Sequence, residues 1–169
     1  MALTLLVGGA RSGKSTHALR LAEASGAPVV FVATGAAGDD EMAARIARHR
    51  AERPAGWQTV EEPLSLLDAV AAAPPGACVV VDCLSLWVAN LLERDEDVEA
   101  AARAAAAAAA ARPGPTVAVT NEVGLGIVPV TPLGRAYRDL LGRTNAIWAE
   151  AAEESYFVVA GKHLRLGDG

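Results

Sequence analysis

The chain is 169 residues long, 52% of them hydrophobic, and carries a formal net charge of −5. This length is enough for a buried core, so we expect one domain over residues 1–169. The acidic balance argues against general nucleic-acid binding, which needs a basic surface, but leaves room for a local phosphate site. No apolar run reaches membrane-spanning length and no basic leader precedes the first strand, so we expect a soluble, cytoplasmic protein.

A glycine-rich loop lies between the first predicted strand and the first predicted helix. Residues 3–7 form a short apolar run, and the residues from 16 onward have helical spacing. Between them lies the pattern G-x-x-x-x-G-K-S, made of Gly8, Gly9, Ala10, Arg11, Ser12, Gly13, Lys14 and Ser15. Strand, loop and helix in this order are the context that a phosphate-binding P-loop requires, and they disfavour a chance glycine-rich turn.

Each position of this loop has a chemical reason. Gly8 and Gly13 allow backbone angles and close approaches that a Cβ would block. The loop amides form an anion nest at a helix N-terminus, where the helix dipole also favours negative charge. Lys14 is predicted to reach the β- and γ-phosphates of a nucleotide, and the Ser15 hydroxyl is predicted to bind Mg²⁺.

Strands and helices alternate along the rest of the chain. Apolar runs predict strands at residues 29–33, 57–61, 77–82, 116–120 and 156–161. Helical spacing predicts helices at residues 39–52, 64–73, 84–92, 95–112 and 133–155, and we expect the tail 163–169 to be irregular. The alternation predicts an α/β fold, in which right-handed βαβ units form a largely parallel sheet covered by helices on both faces.

Asp82 is the second candidate for a role in nucleotide chemistry. It ends the apolar run 77–82, and ligands bind at the carboxyl ends of parallel strands. A P-loop protein keeps a carboxylate there that holds Mg²⁺ directly or through water, so Asp82 is predicted to be a metal ligand. The alternative is that Asp82 caps the helix that follows it.

A third unusual segment contains four arginines and one histidine between residues 45 and 53. Arg45, His49 and Arg53 lie at i, i+4 and i+8 and therefore share one helical face. The positive charge suits a phosphate better than a metal, and it favours the neutral imidazole, which has a nitrogen free to attack phosphorus. The alternative is a solvated helix surface whose arginines pair with the acidic residues 39–41. The segment taken alone favours this alternative.

Five motifs taken together resemble one known enzyme family. They are GGARSGKS, DDEMAARIARHRAERP, VVVDCLSLW, TNEVGLGIVP and YFVVAG. The chain resembles the bifunctional adenosylcobinamide kinase/adenosylcobinamide-phosphate guanylyltransferase of cobalamin biosynthesis, from near its N-terminus to about Gly161. A P-loop is common to many NTPases, whereas H-x-x-x-R-P and T-N-E-V-G-x-G-I-V-P are far more specific.

The resemblance implies two reactions at one site, with Mg²⁺ as cofactor and ATP and GTP as substrates. A nucleoside triphosphate phosphorylates adenosylcobinamide, and GTP then transfers GMP through a histidine to adenosylcobinamide phosphate. His49 matches the guanylylated histidine, and Lys14 is the other catalytic candidate. The nucleotide contacts implied are the P-loop residues above and Ala33, Thr34, Gly35, Arg50, Ala51, Glu52, Arg53, Glu61 or Glu62, and Asp82. The family also implies a RecA-like fold with one antiparallel strand, and a homotrimer.

Two other functions fit part of the pattern. A simple P-loop kinase of a small metabolite explains the P-loop, Asp82 and the arginines, but makes His49 incidental. A regulatory nucleotide switch explains the P-loop and predicts slow GTP hydrolysis, a partner protein and no acceptor-dependent turnover.

Overall fold

A computed structural model describes residues 3–36, 43–44, 47, 50–51 and 53–167. Within these described residues there are seven strands: β1 Leu3–Gly8, β2 Val29–Ala33, β3 Gln58–Glu61, β4 Cys78–Asp82, β5 Thr116–Asn121, β6 Glu154–Val159 and β7 Lys162–Leu166. Five helices have defined bounds: α1 Lys14–Ala24, α2 Leu66–Ala72, α3 Leu84–Leu92, α4 Val98–Ala111 and α5 Pro132–Ala151. Of the helix predicted at 39–52, the described residues Ala43, Ala44, Ala47, Arg50 and Ala51 are helical, and the others lie outside the described residues.

The strands form one sheet in the order β3-β2-β4-β5-β1-β6-β7. The first six of these run parallel, and β7 runs antiparallel to β6. Every residue of β1 and β2 is buried, which accounts for their continuous apolar sequence, since a parallel sheet is covered on both faces. The P-loop strand β1 lies between β5 and β6, and β5 in turn lies beside β4, the strand that ends in Asp82.

Side chains alternate between two hydrophobic clusters, one on each face of the sheet. Helix α1 covers one face, where Ala18 and Ala22 pack with residues such as Leu6, Val80 and Val119. The other four bounded helices cover the opposite face. The alanine-rich helix α4 lies close to its neighbours because Ala102, Ala105, Ala106 and Ala109, which are all buried, have such small side chains. Among the described residues, no helix combines the length and the apolar character needed to span a bilayer.

Capping residues and the C-terminal tail account for some of the differences from the predicted bounds; in addition, the helix predicted at 133–155 ends at Ala151, and the strand predicted at 156–161 lies at Glu154–Val159. Asp97 accepts a hydrogen bond from Ala100 N (3.0 Å) and caps α4, which starts at Val98 rather than at the predicted residue 95. Thr131 accepts one from Gly134 N (3.1 Å) and starts α5. The prediction of an irregular tail is wrong, because Lys162–Leu166 pairs with β6 as an edge strand. All five residues of this strand are exposed, so no apolar periodicity marks it in the sequence.

Candidate active site

The P-loop is built by a glycine at each end. At Gly8 the backbone of β1 packs so closely against β6 that an alanine Cβ would overlap the carbonyl oxygen of Val158 and come within 3.0 Å of Ser12 Oγ. At Gly13 the backbone has φ of 102°, a region that side chains other than glycine rarely adopt. The hairpin after β6 supports the loop, because Gly161 N donates to Ser12 O (2.8 Å). The two glycines that the sequence singled out are therefore the two that the geometry requires.

Lys14 lies inside this loop. Its side chain is only 6% exposed, and Nζ donates to Gly9 O (2.6 Å) and contacts Ser12 Oγ (3.4 Å). The loop thus wraps around an ammonium group at the N-terminus of α1, where backbone amides and the helix dipole already attract anions. This arrangement suits a phosphate group that approaches Lys14 from the open side of the loop.

Ser15 and Asp82 meet across the ends of α1 and β4. Ser15 Oγ donates to Asp82 Oδ2 (3.3 Å), although 67 residues separate the two in sequence. Two oxygens bound side by side to one Mg²⁺ at about 2.1 Å lie about 3 Å apart, so this pair fits two neighbouring positions of a magnesium shell. Among the described residues there is no group of three His, Cys, Asp or Glu residues that could hold a metal. A cation held by Ser15 and Asp82 would therefore take its other ligands from phosphate and water.

The end of β2 is fixed to the end of β4 by Thr34. The buried Thr34 Oγ1 donates to Cys83 O (2.6 Å) and accepts from Cys83 N (2.9 Å). Asn90 Nδ2 donates to Thr34 O (2.8 Å), and Ala33 O accepts from Glu62 N (3.0 Å). The Thr34 hydroxyl is thus already hydrogen-bonded to the Cys83 backbone. A ligand at this segment would instead contact the half-buried backbone around Gly35.

Arg53 lies on the same side of the sheet as Asp82. Its guanidinium carbon is 3.8 Å from the centre of the Phe31 ring, and NH1 donates to Thr59 Oγ1 (3.2 Å). Burial lowers the pKa of Arg53, while the carboxylates of Asp82 and Glu61 act in the opposite direction. Arginine remains protonated under any ordinary condition, so Arg53 is a fixed positive charge near Asp82.

The two predicted acidic contacts differ in their surroundings. Glu61 forms an ion pair with Arg50 (3.2 Å), and both side chains are more than half exposed, so this pair adds little stability. Glu62 Oε1 accepts from the backbone amides of Leu64 (2.9 Å) and Ser65 (2.8 Å) just before α2. Glu62 therefore shapes the start of α2, and Glu61 is the freer of the two for a ligand.

Part of the predicted site, His49 and Glu52, lies outside the described residues, as do Arg45 and Arg48. Ala51 is helical and exposed. The roles assigned to these positions therefore stay predictions.

His17 and His163, far apart in the sequence, are neighbours in the structure. Their rings stack at 4.4 Å, and Tyr156 meets both rings edge-on. Burial, and then the charges of His163 and Arg20, lower the pKa of His17. This cluster joins α1 to the β6–β7 hairpin directly beside the P-loop, and no sequence signal connects the two histidines.

The motif TNEVGLGIVP begins with Thr120 and Asn121, the last two residues of β5, and continues beyond the strand. Glu122 N donates to Gly8 O (3.0 Å), and the Glu122 carboxylate accepts from Gly124 N. Beyond this point the chain exposes a series of apolar side chains: Leu125, Ile127, Val128, Val130 and Leu133, each more than 60% exposed. The end of the segment is tied to α5, since Arg135 NH1 donates to the carbonyl oxygens of Pro129 (2.9 Å) and Val130 (3.0 Å).

Comparison with known proteins agrees with this geometry. Residues 4–166 match the family described as cobinamide kinase / cobinamide phosphate guanyltransferase. The chain is 47% identical to the bifunctional adenosylcobalamin biosynthesis protein CobP of Pseudomonas aeruginosa, over 96% of this chain and 95% of that protein. It is 41% identical to the bifunctional adenosylcobalamin biosynthesis protein CobU of Escherichia coli, over 97% of this chain and 99% of that protein.

A solved structure supports the predicted fold. The flagellar accessory protein FlaH from Methanocaldococcus jannaschii superposes with a TM-score of 0.53 at 14% identity, covering 96% of this chain and 74% of that chain. At this identity the likeness concerns the fold alone. The predicted RecA-like P-loop fold with a mostly parallel sheet is confirmed by this likeness together with the sheet order. The predicted family is confirmed as well: over nearly its whole length, the chain belongs to the cobinamide kinase / cobinamide phosphate guanyltransferase family.

Proposed function

We propose that the chain phosphorylates adenosylcobinamide and then attaches GMP to the product, as part of cobalamin biosynthesis. In the first reaction the substrate hydroxyl oxygen bonds to the γ-phosphorus of ATP or GTP, the bond to the β,γ-bridging oxygen breaks, and the hydroxyl proton is lost. In the second, an imidazole nitrogen of His49 bonds to the α-phosphorus of GTP and pyrophosphate leaves. An oxygen of adenosylcobinamide phosphate then bonds to that phosphorus, the phosphorus–nitrogen bond breaks, and adenosylcobinamide-GDP is released.

The observation that carries the proposal is the position of Lys14, Ser15 and Asp82 at one end of the sheet in a chain of this family. Both reactions place negative charge on a phosphate chain that leaves, either a nucleoside diphosphate or pyrophosphate. The ammonium of Lys14, inside the loop, would stabilise that charge in each case. Mg²⁺ held by Ser15 and Asp82 would add to this by neutralising the phosphate oxygens. One P-loop can therefore serve both steps.

The guanylyl half of the proposal depends on the segment that contains His49. Arg50 and Arg53, which follow His49 in sequence, are among the described residues. The Arg53 guanidinium lies over the Phe31 ring, and the charge of Asp82 is near enough to raise the Arg53 pKa. Arg53 therefore brings a fixed positive charge to the side of the sheet that carries the P-loop. Positive charge there binds phosphate and keeps an imidazole neutral, which is the form that attacks phosphorus.

The test is a covalent adduct. Incubation with GTP and Mg²⁺ should add the mass of GMP to the intact protein, and peptide mapping should locate it on His49. The adduct should survive alkali and hydrolyse in mild acid, as a phosphoramidate does. His49→Ala should lose both the adduct and the transferase reaction while keeping measurable kinase activity, because the kinase reaction needs no covalent enzyme intermediate.

His17→Ala and His163→Ala are the matched controls, and both should keep the adduct. An adduct on another residue, or one that persists in His49→Ala, would refute the assignment. Phosphorylation of adenosylcobinamide without any adduct would instead support the simple P-loop kinase.

We also propose a cytoplasmic homotrimer, as the family resemblance implies. The exposed apolar side chains between Leu125 and Leu133 support a subunit contact, since such patches on a monomer favour association. Light scattering on the purified protein measures the mass directly, and a monomer at micromolar concentration would contradict this part of the proposal.

A further inference from the structure

Asn90 lies in α3 and fastens two separate segments with one amide group. Its Nδ2 donates to Thr34 O (2.8 Å), at the end of β2, and to Pro63 O (3.0 Å), in the loop before α2. An asparagine amide has two donor hydrogens, so this half-buried side chain gives one to each of two carbonyls that lie far apart in sequence. The amide therefore sets the distance between the end of β2 and the loop before α2.

Neighbouring hydrogen bonds hold the same junction. One helical turn before Asn90, Trp87 Nε1 donates to Leu64 O (2.8 Å), the next carbonyl of the loop before α2. Thr34 is also attached to the end of β4, because Thr34 N donates to Asp82 O (3.2 Å) and the Thr34 hydroxyl bonds to the backbone beyond it. Loss of the Asn90 amide would therefore leave Thr34 attached to β4 but would release its carbonyl.

The bond from Asn90 to Thr34 O also fixes the direction of the N–H that follows. The peptide bond between Thr34 and Gly35 is trans, so its N–H points opposite to its C=O. Thr34 O faces α3, which covers one side of the sheet, so the Gly35 N–H points toward the side covered by α1. Among the described residues, no group accepts a hydrogen bond from this N–H. Asn90 thereby directs a backbone donor toward the side of the sheet that carries the P-loop helix.

The sheet register shows where this donor lies relative to the metal pair. Asp82, Ala33 and Glu61 are ladder partners in a row across β4, β2 and β3. Neighbouring strands lie about 4.8 Å apart, so the row extends about 10 Å from Asp82, away from the P-loop strand β1. With the outer phosphates at Lys14 and Asp82, the nucleoside of a bound nucleotide either follows this row or turns the other way, toward β6 and β7.

The proposed guanylyl transfer selects the first of these directions. His49 lies in the segment that connects β2 to β3, and this segment returns to the sheet at Arg53, whose guanidinium lies over Phe31 of β2. Both ends of the segment therefore lie on the β2 side of the P-loop. An α-phosphorus that His49 attacks lies on that side as well, and the nucleoside attached to it continues toward Gly35.

We propose that Asn90 is a positioning residue for the nucleoside of GTP. It orients the Gly35 N–H as a donor to the nucleoside and keeps the loop before α2 at a fixed distance from that donor. The inference rests on the proposed function, because it needs GTP to bind with its α-phosphorus on the β2 side. Asn90 touches no reacting atom, so its loss would weaken nucleoside binding equally in the ground state and in the transition state. The phosphates would keep their contacts with the P-loop.

Calorimetric titration with Mg²⁺ and two matched probes separates the nucleoside from the phosphates. The first probe is α,β-methylene-GTP, in which a carbon replaces the oxygen that attack at the α-phosphorus would release, and the second is inorganic tripolyphosphate. Asn90→Ala should bind the GTP analogue about tenfold more weakly than wild type, but tripolyphosphate within about twofold, which also shows that the variant is folded. In adduct formation with GTP, the KM should rise about tenfold while the maximal rate stays within about twofold.

Asn145→Ala is the matched control. The Asn145 amide likewise donates to a carbonyl at the end of a strand, Asn121 O (3.0 Å), but that strand is β5, next to β1 rather than next to β3. This variant should lose thermal stability without changing the ratio of the two affinities. Asn90→Ser is a milder change that should shift the ratio in the same direction as Asn90→Ala.

Two results would overturn the inference. One is a wild-type ratio of the two affinities in Asn90→Ala or Asn90→Ser, and the other is an equal change of that ratio in Asn145→Ala. The titrations need neither a covalent step nor a corrinoid. A wild-type protein that forms no adduct with GTP would therefore contradict the proposed function without altering this comparison of affinities.

Discussion

Replacing Gly8 by alanine should disturb the protein at the point where the fold and the P-loop meet. The added Cβ would overlap the carbonyl oxygen of Val158, and it would come within 3.1 Å of the Val158 carbonyl carbon. Gly8 and Val158 are ladder partners in β1 and β6, and Val158 is buried. Neither partner can turn away as a flexible side chain could, so the backbones themselves must separate.

The size of the effect follows from the overlap. Restoring an ordinary carbon–oxygen contact requires β6 to move by roughly 1 Å. Overpacking of this kind costs about 3 kcal/mol, which in a chain of this length lowers the melting temperature by about 6–12 °C. The movement would also displace the hairpin that supports Ser12 through Gly161. A displacement of about 1 Å in the loop should slow both reactions by about 100-fold.

Gly9→Ala provides the matched comparison. It adds the same methyl group one residue further along, where a Cβ meets no atom within 4 Å. Its melting temperature should stay within about 2 °C of wild type. Thermal unfolding followed by circular dichroism measures all three proteins, and the kinase and guanylylation assays follow. A Gly8→Ala protein as stable as wild type, or a Gly9→Ala protein equally destabilised, would show that the close approach of Gly8 to Val158 is not the cause.

Four further predictions follow from the described contacts. Lys14→Ala should lower both activities by at least about 100-fold, because Arg11, the other cationic residue of the loop, is exposed and does not replace the enclosed charge, and near-normal guanylylation would contradict a shared site. Asp82→Asn should raise the Mg²⁺ concentration needed for activity while leaving the melting temperature nearly unchanged, and a loss of activity that only follows a loss of stability would make Asp82 a structural cap. Arg112→Ala should cost about 3 kcal/mol of unfolding free energy in urea, because its guanidinium donates to four carbonyls, those of Val70, Ala73, Pro74 and Ala77, and Arg112→Lys should lose less. Folding lowers the pKa of His17 from 6.5, so between the folded pKa and 6.5 the unfolded state binds more protons than the folded state. The free energy of unfolding therefore decreases as the pH is lowered through that window. His17→Phe should therefore lose less stability than wild type between about pH 7.5 and 5.5 in urea titrations, and an equal loss in the two proteins would exclude His17 as the cause.

Local patterns in the sequence determined the elements that lie around the site. The helix predicted at 84–92 has those bounds in the structure, and the strand predicted at 29–33 does too. These predictions work because burial of a strand and the apolar stripe of a helix are written in residue spacing alone. The P-loop is a local structure as well, since its glycines, lysine and serine all lie within eight consecutive residues. The family was equally accessible, because its motifs are short segments of sequence.

The tertiary structure alone decided which of these segments meet. Ser15 and Asp82 come together because the sheet order places β5 between β4 and β1, and strand order depends on packing between segments far apart in the chain. The same non-local contacts decided that Thr34 binds the backbone of Cys83, and that Glu62 shapes the start of α2. Spacing specifies which face of its own element a residue occupies, but only the assembled sheet specifies what lies opposite that face.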